Sequence, residues 1–178
     1  ALHYIAIGLD SLGEVGSQAL RVGFLLLAGH CHSRMMQDAA AAASFQELLD
    51  RYAEKNLSAF TAEAHAGLAN LAARQCDSAT ALWHVEKILA ILPQNPNVGY
   101  DEPFFVYLTA YRILHAHNDP RADAILQQGY DLLEHYAAHI HDDSLRASFY
   151  NNVVVHRELQ SAYCASHTPL PVSVLYAH

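Results

Sequence analysis

Residues 25–53 can be laid over residues 65–93 at a constant offset of 40, without a gap. Leu25 then meets His65, Ala28-Gly29 meets Leu68-Ala69, Ala41 meets Ala81, Phe45 meets Val85 and Leu48 meets Ile88. Small residues recur where two backbones must approach closely, and bulky apolar residues recur a turn further on. A unit repeated at such a period cannot bury its apolar face alone, so copies must stack and share a core. This requirement restricts the fold more than any other property of the chain.

The repeated unit reads as a pair of helices. No proline precedes Pro93, and the stretch before it is rich in Ala and Leu, which favours long helices. Sustained period-two alternation and Asn-Gly or Asp-Gly turns are absent, so no strand is expected. Breaks fall at Asp10–Gly16, Gln37-Asp38, Asn56 with Ser58, Cys76-Asp77, the loop 93–102, Asn118-Asp119-Pro120 and Asp142-Asp143-Ser144. Asp101 and Pro103 mark a helix start, because a carboxylate accepts free N–H groups and proline suits the first turn. Short connections make about eight consecutive helices antiparallel neighbours.

The fold class expected is therefore all-α, with antiparallel helix pairs stacked as an α-α superhelix. At 178 residues and 52% apolar content, one domain accounts for the chain. It spans residues 1–163: a second helix of a truncated repeat at 1–16, helix pairs at 17–56, 57–95 and 101–141, and a closing helix at 142–163. Residues 164–178 read as a tail.

The pattern resembles the tetratricopeptide repeat. That family places leucine and a small residue in the first helix, then alanine, an aromatic and alanine in the second, and a closing proline. The second repeat offers Leu68, Ala69, Ala81, Val85, Ile88 and Pro93. The first offers Leu25, Ala28, Gly29, Ala41, Phe45 and Leu48, with Ala53 where proline is usual. A third pair, aligned on Asp77 and Asp119, puts Asp123 at the alanine position. The 40-residue period is longer than the family's and implies longer loops.

Residues 117–159 are similar to the closing segment of such arrays at the C-terminus of large bacterial regulators carrying a STAND-type ATPase. Asn118-Asp119-Pro120, "DDSLRASFYNNV" and His156-Arg157-Glu158 carry that likeness. The resemblance implies a cytoplasmic, non-catalytic module, a fragment of a longer regulator. It would bind a protein, a peptide or another domain of its parent chain in a concave groove, without a cofactor. The alternative it implies is the small-molecule sensor arm of such a regulator.

Composition excludes other classes. The charge is −8 and the ten basic residues are scattered, which does not suit a nucleic-acid surface. No apolar run is long enough for a membrane helix. Three well-separated cysteines imply no disulfide framework and suit a reducing compartment. "GHCHSRMM" (29–36) gathers soft metal ligands, but His30 and His32 stand about 200° apart on a helix and diverge. His115/His117 and His139/His141 repeat that spacing at helix ends, and no set of three or four converging ligands follows, so no metal site is expected. His141-Asp142 is similar to a motif of the helical HD phosphohydrolases, yet no Asp follows Asp143 to complete their site. No phosphate loop, nucleophile elbow or His-Glu-x-x-His is present, so no enzyme is expected.

In the repeat register the groove side carries Leu26, His30, Ser33 and Arg34, then Glu63, Ala66, Asn70, Ala73 and Arg74, then Phe105, Leu108, Arg112 and His115. The binding candidates are His30, Arg34, Glu63, Asn70, Arg74, Arg112 and His115. Arg34 and Arg74 share one register position, and a guanidinium fork suits carboxylates. Asn70 and Arg74 stand where some tetratricopeptide domains clamp a peptide carboxylate, although Ala66 replaces the usual lysine. The plainer reading is that these arginines are solvated or pair with Glu63 and its neighbours. Tyr100, Phe104, Phe105, Tyr107 and Tyr111 would mark a ligand sensor if they enclosed a pocket; helix-spaced aromatics otherwise pack neighbouring repeats.

Overall fold

The computed structural model describes residues 1–12, 17–52, 58–93 and 102–167. These residues form nine helices and no strand. They are α1 (Leu2–Leu12), α2 (Gln18–Arg34), α3 (Asp38–Tyr52), α4 (Ser58–Arg74), α5 (Ser78–Ile91), α6 (Pro103–Ala116), α7 (Ala122–Ala138), α8 (Asp143–Asn152) and α9 (Val154–His167). Helices α2/α3, α4/α5 and α6/α7 pack as pairs. Helix α4 touches α2 and α6, and α6 touches α9, so these four make one continuous row. Among the described residues α3 and α5 do not pack on each other, so the pairs are joined chiefly through α4 and the inner row. The expected all-α stack of helix pairs is the architecture found.

Each of the three pairs turns on the same backbone device. Met36, Cys76 and Asn118 have φ of 57°, 59° and 55°. The N–H groups of Gln37, Asp77 and Asp119, one residue on, donate to the carbonyls of His32, Ala72 and Leu114 at 2.9, 2.9 and 3.0 Å. This left-handed cap satisfies helix-end carbonyls. Of the three residues only asparagine tolerates the conformation well; Met36 and Cys76 each carry a steric cost of roughly 1 kcal/mol. Cys76→Gly is therefore expected to raise stability by several tenths of a kcal/mol to about 1 kcal/mol, read as a higher urea midpoint. A lower midpoint would mean the thiol contributes packing that outweighs the strain.

The third pair departs from the register expected of it. Asp123 is exposed, and Ala122 and Leu126 are buried instead, at an offset of 41 from Ala81 and Val85. The turn before α7 is one residue shorter than an alignment on Asp119 allows. Asp119 does not cap α7 from the N-cap position, which Arg121 occupies without a side-chain bond. It accepts instead from the Arg121 backbone N–H at 2.9 Å and from its guanidinium. Arg121 also forks onto Glu86 of α5 at 2.6 and 3.0 Å, tying consecutive pairs together. Of the other helix starts, Asp77 caps α5 through Thr80, as its position suggests. Asp101, Asn56 and the Ser58 side chain lie outside the described residues, and Glu102 is the N-cap of α6.

Helix α4 is buried on two sides. Ala64, Leu68 and Leu71 join Val22, Leu26, Phe45 and Leu48 in one core, while Ala62, Ala66 and Ala69 face a second core built with α5, α6 and α7. Its alanines allow both approaches. Phe45 is fully buried, with its ring wedged between two glycine backbones. A Cβ at Gly29 would lie 2.4 Å from one ring edge, and one at Gly67 would lie 2.4 Å from the other.

The single closing helix expected at 142–163 is two helices. Val153, with φ −91° and ψ 115°, is extended and separates α8 from α9. Three consecutive β-branched valines follow two asparagines there, a run poorly disposed to helix. The ends of α8 are satisfied locally. Asp142 accepts from the Ser144 and Leu145 N–H groups, Arg157 donates to the Asn151 carbonyl, and His156 Nδ1 donates to the Phe149 carbonyl. Helix α9 continues to His167, so Cys164–His167 belong to it rather than to a tail.

Candidate binding groove

The row α2, α4, α6 and α9 borders a groove of about 680 Å³. Helix α2 contributes His30, Ser33 and Arg34; α4 contributes Asn70 and Arg74; α6 contributes Phe105, Leu108, Thr109 and Arg112. Glu102 stands at one edge. The far wall is Asn152–Val155 with Glu158, the elbow between α8 and α9. That wall escaped sequence reading, because the chain was read as one closing helix and only the break turns these valines toward the groove. Val153 and Val154 remain 39% and 54% exposed.

Five of the seven candidate residues line this groove: His30, Arg34, Asn70, Arg74 and Arg112. Glu63 and His115 do not. His115 sits on the exposed last turn of α6 and stacks on Tyr111 at 5.3 Å. Glu63 is 0% exposed and lies beneath the groove rather than on it. Its Oε1 bonds His30 Nε2 at 2.7 Å, while Oε2 has no hydrogen-bond partner among the described residues. Phe45 and Phe105 meet the His30 ring edge-on at 5.4 and 5.3 Å, so the imidazole is held on three sides. Leu26 and Ala66, also placed on the groove side in the repeat register, are fully buried.

The two arginines of the shared register do different things. Arg74 is held at the α2–α3 turn: it donates to Asp38 at 2.5 Å and to the Ser33 carbonyl and hydroxyl at 3.4 and 3.3 Å. It braces the turn and presents little to the groove. Arg34 has a 77% exposed side chain and meets Glu102 at 3.4 Å. Arg112 is 55% exposed and meets Glu158 at 3.2 Å. The more exposed guanidinium pair is thus Arg34 and Arg112, with Asn70 on the helix between theirs.

Phe104, Tyr107 and Tyr111 are core residues, Phe105 alone reaches the groove, and Tyr100 lies outside the described residues. On metals, no group of three or more His, Cys, Asp or Glu could hold an ion among the described residues. His117 and His139 donate from Nδ1 to carbonyls of their own helices, at Ile113 and His135. No helix among the described residues is long and apolar enough to cross a membrane.

A histidine pair on the other side of α4 was missed. His65 and His84 meet Nδ1 to Nδ1 at 3.0 Å, beside an exposed Trp83. The signal was present in the repeat itself, since His65 takes the position of buried Leu25. Burial, then His84, then Lys87 lower the His65 pKa from 6.5 to about 4, and burial lowers that of His84. Because the folded pKa lies below the unfolded one, the unfolded chain binds the extra proton. Stability is expected to fall as pH drops from about 6.5 towards 4 and to stop falling from this source below that, a loss of roughly 2–3 kcal/mol. His65→Leu, matching the first repeat, should flatten that part of the profile; an unchanged slope would contradict the assignment.

No family model, curated protein or solved structure matches this chain.

Proposed function

We propose that this chain is a non-catalytic interaction module that binds a peptide or protein segment in its concave groove. One observation supports this above the rest. The groove draws on all three helix pairs and α9, and is lined by two exposed guanidiniums and two exposed valines. Such a mixed, open surface recognises an extended segment through hydrogen-bond donors and apolar contact. A small-molecule sensor would be favoured by an aromatic-lined pocket, whereas among the described residues Phe105 is the one aromatic in the groove lining and Phe104, Tyr107 and Tyr111 are core. We carry the tetratricopeptide resemblance, and the place as a cytoplasmic arm of a bacterial regulator, as part of this proposal. They rest on the repeat pattern and on residues 117–159, and three cysteines outside any disulfide suit a reducing compartment.

Selection of a displayed random-peptide library on the whole chain tests the groove. Selected peptides are expected to lose binding to an Arg34→Glu, Arg112→Glu variant and to keep it on Trp83→Ala. Retention by the first variant and loss by the second would move the binding face to the opposite side and defeat the proposal.

A further inference from the structure

The groove's two exposed guanidiniums are both paired with carboxylates of the chain itself, and both contacts are loose. Arg34 meets Glu102 through one long contact at 3.4 Å, and Arg112 meets Glu158 at 3.2 Å. Exposed pairs of this kind contribute about 0–1 kcal/mol each. A ligand carboxylate that engages the guanidinium fork bidentately makes a stronger contact than either. The displaced groups lose little. Glu102 is 32% and Glu158 40% exposed already, so both return to water readily. Glu102 is also the N-cap residue of α6 and makes no capping bond, so its charge stays favourably placed at a helix N-terminus without Arg34. Arg74 differs in every respect: it has several partners at the α2–α3 turn and is only 29% exposed, so it does not exchange.

The apolar side of the groove supplies the second half of the recognition. Val153 and Val154 are exposed beside Arg112 and Glu158, and Phe105 and Leu108 lie on the facing helix. The first turn of α9 lies in this wall, and its leading N–H groups have no acceptor within the helix. They add to a preference for negative charge set by Arg34 and Arg112. On a chain of net charge −8, the groove gathers Arg34, Arg74 and Arg112 against Glu102 and Glu158.

We infer that the ligand is an acidic peptide segment of another protein, whose carboxylates replace Glu102 and Glu158 on Arg34 and Arg112 while a neighbouring aliphatic side chain lies on Val153 and Val154. The inference rests on the groove reading above. Glu102 and Glu158 then act as internal competitors that set the threshold for binding. Neutral or basic segments cannot displace them.

Fluorescence anisotropy with two labelled peptide pools tests this. One pool holds Asp, Glu, Leu and Val; the other replaces the acids by Asn and Gln. The whole chain is expected to bind the acidic pool about tenfold tighter, with the advantage eroded by added salt. Glu102→Gln with Glu158→Gln should tighten the acidic pool severalfold, because the competitors are gone. Arg34→Gln with Arg112→Gln should erase the preference, with helicity unchanged by circular dichroism. Equal binding of the two pools, both lost in Val154→Asp, would overturn the charge exchange and leave the groove reading standing. The same holds if the two Glu→Gln changes leave the affinity unaltered. Failure of both pools to bind would remove this inference and the groove reading together.

Discussion

Phe45→Ala is expected to cost about 3–5 kcal/mol, the usual range for emptying a fully buried aromatic site. The same change should make Gly67→Ala harmless. Phe45 is 0% exposed and fills the space where α2, α3 and α4 meet. Its ring rests on the backbones of Gly29 and Gly67, where any Cβ would fall 2.4 Å from a ring carbon. Real atoms do not approach so closely, so Gly67→Ala in the native background must shift the ring or part the helices. Overpacking of this sort costs about 1–3 kcal/mol. With the ring absent, an alanine at 67 meets open space and improves helix propensity by about 1 kcal/mol. A double-mutant cycle in chemical denaturation would therefore show strong non-additivity. Additive losses would mean that the ring and the glycine do not touch, and the packing of the first two pairs would need another account.

His30→Phe should also be costly, by about 1–3 kcal/mol, because it strips a buried carboxyl group of its hydrogen bond. His30 is the one hydrogen-bond partner that the described residues give to Glu63, a carboxylate wholly removed from water. Phenylalanine fits among Phe45 and Phe105 but leaves both carboxylate oxygens unsatisfied. Glu63→Met is the milder change, because the His30 side chain keeps 15% exposure to water whereas Glu63 has none. The double variant, His30→Phe with Glu63→Met, should recover most of the loss, since an apolar pair of similar volume replaces a desolvated polar one. Melting curves of the four proteins decide this. A double variant no more stable than His30→Phe would show that the pair contributes attraction beyond its own desolvation cost.

Much of the architecture could be read from residues. The offset of 40 identified the paired unit, and Ala41, Ala81, Phe45, Val85, Leu48 and Ile88 are all buried where that alignment puts them. The third pair was read one residue out, because Asp119 looks like a helix cap and instead serves Arg121. Residue types suggested capping; the tie between Arg121 and Glu86 across two pairs is a tertiary fact that spacing does not contain.

The groove was half legible for the same reason. His30, Arg34, Asn70, Arg74 and Arg112, on the groove side by register, all border it. Register alone cannot tell which groove-side residue the next helix covers. Glu63 and Leu26 were counted as surface and are core, covered by the neighbouring pair. Nor could it separate Arg34 from Arg74, which share a position but differ in the carboxylate within reach: Glu102 for one, Asp38 for the other. The valine wall depended on a break at Val153 that periodicity smooths over.

Amide chemical-shift mapping of the whole chain during titration with a selected peptide locates the binding face. Shifts are expected at Asn70, Phe105, Arg112 and the Val153–Val155 elbow, with Trp83 and Lys87 on α5 unmoved. Shifts centred on Trp83 and the outer face of α5, with the groove silent, would contradict the groove reading.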